Sequence, residues 1–323
     1  MPPAKPWRCA AGRALTRTTL HTTWGNALDA SVPRSNDFLG RIDVSNRTRT
    51  VLSGDVRIHC VTAGPEDGPL VLLLHGFPAR WSTWRDILPA LAREGYLAVA
   101  PDLRGYGASD RPAGLDSYAV PRFLDDVLAI IDAHGRDRAF VVGHDFGGGI
   151  AWMTAMNHPD RVARLAILNS VHAVGFERQI RKWSQIKKSW YVFFFLLPWL
   201  PEWWLSRKDF RFVRRSLADD GLSPAVVDDL IEGVRPPGAM HAAIDSFRAS
   251  FRDAARKLLV PKKVELPTLV VWGDRERHFD AELATPPADW VPNARVEHVP
   301  NGSHWVHHDD PATVTRLLVE YFR

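Results

Sequence analysis

Several classes of protein are excluded by what this sequence has little of. It holds two cysteines in 323 residues, Cys9 and Cys60, and neither sits in a metal-ligand spacing. No disulfide framework is expected, and the usage fits a reducing compartment, read here as the cytoplasm. Basic and acidic residues nearly balance, 41 against 37, for a formal charge of +4. No basic stripe with interleaved aromatics is visible, which argues against nucleic-acid binding. There is no internal repeat, no low-complexity tract and no compact apolar leader ending in a small-residue cleavage site. The strongly apolar stretch Trp190 to Leu205 carries Pro198, Pro201 and Glu202 and falls short of the roughly 20 residues of a membrane span. It reads first as the wall of an apolar pocket, and second as an interfacial face beside Lys187 and Lys188.

Apolar residues make up 46% of the chain, enough for a full core. Residues 1–45 stand apart. They have scattered prolines, arginines and threonines and no hydrophobic period, so a poorly ordered extension is expected there, with a targeting segment as the alternative. From Thr48 the pattern becomes strand-like, with Gly54 as a hairpin turn between Thr48–Leu52 and Val56–Val61. Leu70 to Leu74 is continuously apolar, as in a strand buried on both faces of a parallel sheet. A helix over Trp81–Arg93, a strand over Tyr96–Ala100, a helix over Val120–His134, a strand over Ala139–Val142, a helix over Phe146–His158 and a strand over Val162–Asn169 follow. The alternation predicts an α/β fold, a mostly parallel doubly wound sheet with helices on both faces. It stops over 171–263, where helical pieces are interrupted by Pro198, Pro201, Pro224, Pro236 and Pro237. It resumes over Leu266–Trp272, Arg295–Val299 and a closing helix, Pro311–Phe322. The core is therefore expected over 46–170 and 264–323, with 171–263 as a helical cap over the C-terminal edge of the sheet, where such sheets bind ligands.

The chain is organised around Val141-Val142-Gly143-His144-Asp145-Phe146-Gly147-Gly148-Gly149. A strand is cut by glycine, a polar residue sits between small ones, and a helix follows. This is the layout of a nucleophile elbow; a plain glycine-rich turn capping a buried helix is the duller reading. The residue at the apex is Asp145. A carboxylate with an ordinary pKa of about 3.9 is ionised at neutral pH and needs no base to act as a nucleophile. It suits displacement at an sp3 carbon, giving an ester that water must then cleave. Cleavage calls for a histidine oriented by an acid, in the order nucleophile, acid, histidine. His304, in Asn301-Gly302-Ser303-His304-Trp305, follows a strand through a Gly-Ser turn. The acid follows Leu266–Trp272, where Asp274 and Glu276 compete and Asp280 is a weaker third. Backbone N–H groups of Phe77 and Phe146 are placed to stabilise the oxyanion of ester hydrolysis.

At this point the sequence resembles the α/β-hydrolase superfamily, and within it the epoxide hydrolases and haloalkane dehalogenases that use aspartate. The matching pieces are His75-Gly76-Phe77-Pro78, Asp102-Leu103-Arg104-Gly105-Tyr106-Gly107-Ala108-Ser109, Gly143-His144-Asp145-Phe146-Gly147-Gly148, Trp272-Gly273 with its acid loop, and Gly302-Ser303-His304-Trp305. The resemblance implies an eight-stranded sheet, Asp145 as nucleophile, His304 as base, Glu276 at the acid position in place of the usual aspartate, and a cis peptide at Phe77-Pro78. It also implies Tyr191 as a proton donor to the opening ring. The family's second tyrosine position is Phe247, which cannot donate; His172 and His241 are the other donors weighed. The pocket is expected to involve His144, Trp190, Phe194, Phe247 and Trp305.

Haloalkane dehalogenases typically place a tryptophan donor after the nucleophile. Here that residue is Phe146, so the halide reading is weaker on hydrogen-bond inventory. The function expected is opening of an apolar epoxide to a vicinal diol, with a haloalkane dehalogenase-like hydrolase or a non-catalytic ligand-binding homologue as alternatives. No cofactor and no metal are implied. The expected partner is a small apolar substrate, acting on a monomer or homodimer.

Overall fold

A computed structural model describes residues 46–323. The expected N-terminal extension lies outside these residues. The eight strands are β1 (Arg47–Ser53), β2 (Val56–Ala63), β3 (Leu70–Leu74), β4 (Leu97–Pro101), β5 (Ala139–His144), β6 (Val162–Leu168), β7 (Thr268–Gly273) and β8 (Ala294–Val299). They form one sheet in the order β1-β2-β4-β3-β5-β6-β7-β8. The first two strands enter antiparallel, and every pairing from β3–β4 onward is parallel.

The apolar run of β3 explains itself in the sheet. Leu70, Leu72 and Leu74 face one core and Val71 and Leu73 the other, all of them buried. Both faces are covered by helices, so alternation has nothing polar to alternate with. On the face of Leu70, Leu72 and Leu74 lie α2 (Val120–Ala133) and α3 (Asp145–Asn157), and on the other lies α1 (Ile87–Arg93). The helix expected from Trp81 is shorter than its apolar pattern. Trp81–Trp84 is a 3-10 turn, and α1 starts only at Ile87. Pro89 fits the first turn of a helix that begins there, whereas in a helix begun at Trp81 it would sit in the interior.

Six helices separate β6 from β7: α4 (Ala173–Gln179), α5 (Trp183–Lys188), α6 (Trp190–Phe195), α7 (Leu200–Asp219), α8 (Pro224–Ile231) and α9 (Ala239–Ala255). The insertion is helical throughout, as its pattern predicts. Two of its prolines start helices rather than break them: Pro201 lies in the first turn of α7 and Pro224 opens α8 behind Ser223, whose side chain caps the helix. The break within α7 falls elsewhere, at Arg207–Phe210, where Lys208, Asp209 and Phe210 have positive φ. The chain closes with α10 (Val306–Asp309) and α11 (Pro311–Phe322).

Candidate active site

Parallel strands end at one edge, and that edge gathers the polar residues. Asp145 follows β5, Asn169 follows β6, Glu276 follows β7, His304 follows β8, and Phe77 lies in the loop after β3. Asp145 sits at the apex of the bend with φ 49°, in the left-handed region. Such strain at a non-glycine residue needs surroundings that hold it. A side-chain carbon on Gly143 would lie 2.4 Å from the Gly147 carbonyl oxygen, and one on Gly147 would lie 2.4 Å from the oxygens of Leu74 and His75. The strand and helix can approach this closely only without side chains at those positions.

The Phe77 N–H donates to Oδ1 of Asp145 at 3.0 Å. Nε2 of His304 lies 3.6 Å from Oδ2, too far for a full hydrogen bond but close for an ion pair. On the other side of the ring, Nδ1 of His304 is 2.7 Å from Oε2 of Glu276. Asp145 keeps 16% of its side-chain surface exposed, whereas His304 and Glu276 keep 5% and 2%. Burial alone would raise both carboxyl pKa values. The His304 charge outweighs it, with the Phe77 N–H helping at Asp145, so Asp145 lies well below the usual range and Glu276 falls to about 2. Burial would lower the His304 value, but the two flanking carboxylates raise it well above normal. These shifts favour the charged form of the imidazole between the two carboxylates.

Of the acid candidates, only Glu276 meets His304. Asp274 turns away to His298 at 2.6 Å, and Asp280 binds Ser184 and Lys188. Two supports of Glu276 were not anticipated from sequence. Asn169 donates its side-chain amide to Oε2 at 2.7 Å, while its own Oδ1 accepts the Gly273 N–H at 3.0 Å. The His278 N–H donates to Oε1 at 2.7 Å. The available signal for Asn169 was a lone polar residue directly after the apolar run of β6.

A cavity of about 290 Å³ opens onto Asp145 and His304. The cap side of its wall includes Trp190, Tyr191, Phe194, Phe195 and Phe247; Trp305 lines the core side. Phe247 packs its ring against Phe77, Phe146 and Phe195. Phe146 packs on Phe123 and Phe247. Burial and the nearby carboxylates raise the Tyr191 phenol far above its normal value, so it stays protonated.

His144 does not reach this cavity, contrary to the sequence expectation. It points beneath the site, where Nε2 meets the His304 carbonyl oxygen at 2.9 Å and the ring packs on His304, Trp305 and His307. His144 is the last residue of β5, where successive side chains alternate between the two faces, so it lies on the side of Val142 and away from Asp145. Burial lowers its pKa to about 3, so it is neutral. The other two histidines weighed as donors are also remote: His172 is buried against Trp152 and Trp290, and His241 is on the surface with Glu202 and Asp245.

Beside His304 the cavity is lined by a second histidine, His278, which was missed from sequence. Its Nε2 lies 2.9 Å from Asp220 at the end of α7, and its ring stands edge-on to His304 with centroids 4.7 Å apart. Asp220 also accepts from Trp305 Nε1 at 3.3 Å. His278 therefore ties the cap to the loop that carries Glu276.

This sheet, with its bent strand-to-helix junction and helical insertion, defines an α/β hydrolase. A family model described as alpha/beta hydrolase fold matches residues 69–311. Epoxide hydrolase 3 of Xenopus tropicalis is 34% identical over 279 residues, covering 83% of this chain and 75% of that protein. Epoxide hydrolase 4 of Homo sapiens is 33% identical over 279 residues, covering 83% and 76%. The crystal structure of Bacillus megaterium epoxide hydrolase with an inhibitor superposes with a TM-score of 0.77 at 28% identity, covering 85% of this chain and 99% of that one. The chain belongs to the α/β-hydrolase superfamily, in its epoxide-hydrolase branch.

Proposed function

We propose that this protein opens an apolar epoxide to a vicinal diol through an ester on Asp145. The reading rests above all on one arrangement: a carboxylate and Tyr191 lining the same aromatic cavity, with His304 3.6 Å from that carboxylate. In the first step a carboxylate oxygen of Asp145 bonds to an epoxide carbon. The ring C–O bond breaks, and the Tyr191 hydroxyl gives its proton to the departing oxygen. In the second step the ester removes the negative charge of Asp145. The proton on His304 then returns to the Tyr191 phenolate, and neutral His304 takes a proton from a water whose oxygen attacks the Asp145 carbonyl carbon, with Glu276 holding the ring. The N–H groups of Phe77 and Phe146 receive the oxyanion; on collapse the ester C–O bond breaks, the proton of the added hydroxyl passes to the departing alkoxide, and the diol leaves with Asp145 ionised and His304 protonated as at the start.

The aromatic wall suits a substrate with an apolar or aromatic substituent. A Bacillus megaterium relative, 27% identical with a TM-score of 0.76, is a complex with (R)-3-[1]naphthyloxy-propane-1,2-diol, which makes the corresponding aryl glycidyl ether a sensible probe. With the His304→Gln variant, mass spectrometry should find Asp145 heavier by one molecule of that epoxide. No adduct on Asp145, with the variant folded, would sink the proposal.

A further inference from the structure

The stretch that sequence reading divided between pocket wall and membrane face supplies both, on opposite sides. Tyr191, Phe194, Phe195 and Leu205 turn inward to the cavity. The outer side is left uncovered. Ten large apolar side chains are well exposed among the described residues, and seven lie between positions 183 and 203, with Trp183 at 69% and Trp199 at 70%. Scattered single apolar residues are ordinary on a protein surface; seven on three consecutive helices and the turn between the last two are not.

Charge gathers at the same place. Residues 181–215 contain nine lysines and arginines against two acids, a net +7 in a chain whose total is +4. Lys182, Lys188, Arg214 and Arg215 meet carboxylates. Arg181, Lys187, Arg207, Lys208 and Arg211 form no ion pair among the described residues. Two of these cations lie over exposed indoles, Lys187 over Trp183 at 5.4 Å and Arg207 over Trp203 at 4.3 Å. Exposed tryptophan, phenylalanine and leucine with unpaired lysine and arginine between them match the chemistry of a membrane interface, where indoles sit at headgroup level and cations meet anionic lipid. No helix of the described residues is long and apolar enough to cross a bilayer.

We propose that the outer face of α5, α6 and α7 up to Arg211 docks on the surface of a bilayer that contains anionic lipid. The cations select the charged surface, and the tryptophans, Phe193, Leu196 and Leu197 enter its interfacial zone. Trp190 and Lys187 belong to this face and also line the cavity, so docking sets the cavity mouth against the lipid. If the hydrolase reading above holds, an apolar epoxide dissolved in the membrane enters without crossing water.

The test is flotation of the full chain with vesicles of phosphatidylcholine alone and of equimolar phosphatidylcholine and phosphatidylglycerol. The protein should float with the mixed vesicles and not with the neutral ones, and added salt should release it. The variant Arg207→Glu, Lys208→Glu, Arg211→Glu should bind at least about a hundredfold more weakly, given that each basic residue near such a surface is worth roughly a fivefold gain. Trp183→Ala, Trp199→Ala, Trp203→Ala should also lose binding, and none of these six residues lines the cavity. Hydrolysis of a water-soluble epoxide by the same variants should be unchanged, which separates failure of docking from failure of the hydrolase reading. Equal binding to neutral vesicles, no binding to either, or binding that survives both sets of changes would overturn the proposal. So would a dimer in sedimentation that the tryptophan changes abolish, since a second copy would then cover this face.

Discussion

The side-chain amide of Asn169 donates to Oε2 of Glu276 at 2.7 Å, and that same oxygen faces Nδ1 of His304. The glutamate is longer than the aspartate usual at its position and has one more torsion to fix. Asn169 fixes it from the neighbouring strand end. Replacing Asn169 by Ala should lower kcat by roughly tenfold to a hundredfold, the worth of a hydrogen bond to a charged group, with KM little changed. Steady-state kinetics on an aryl glycidyl ether will show it; a purely KM effect would mean that Asn169 serves the pocket instead.

The pH dependence of ester hydrolysis should report His304. In the free enzyme two carboxylates hold its proton, and its pKa is raised. Esterification neutralises Asp145 and removes one of them, so the value falls. The base works deprotonated, hence the hydrolysis rate should rise with pH and level off once His304 has lost its proton. Glu276→Gln removes the remaining carboxylate, and the rising limb should move to lower pH while the plateau drops. Stopped-flow measurement of ester decay across pH will decide; a limb displaced to higher pH would contradict the assignment.

Among the described residues, Tyr191 is the one tyrosine that lines the cavity. Tyr191→Phe should cost about a hundredfold to ten-thousandfold in the alkylation rate, the range expected for a lost general acid. Phe247→Tyr should raise that rate, because the new hydroxyl enters the same cavity. Single-turnover alkylation rates test both. If Tyr191→Phe is silent, another group in the cavity donates the proton, and His278 is the first to examine.

A buried ion pair anchors the loop after β4. Arg104 meets both oxygens of Asp126 at 2.6 and 2.5 Å, with side chains only 4% and 3% exposed. Arg104→Leu leaves the carboxylate buried and unpaired, and should destabilise the fold by about 3–5 kcal/mol in urea titration. Adding Asp126→Leu should recover much of that loss.

Sequence by itself determined the layered α/β architecture. Strands buried on both faces have no alternative to an apolar run, and an elbow has no alternative to small residues around its apex; both leave local marks at Leu70–Leu74 and Gly143–Gly149. Fixed order along the chain likewise carried Asp145, Glu276 and His304 to one sheet edge as candidates. Tertiary structure decided what depends on direction and on partners distant in the chain. Spacing cannot tell that Asp274 turns to His298 while Glu276 turns to His304, that His144 points under the site, or that Asn169 and His278 grip the acid. The same holds for the cap, where one apolar run divides into a wall facing inward and a cationic aromatic face turned out. Hydrophobicity is a property of each residue alone, whereas the side it presents is set by the helices packed beneath it.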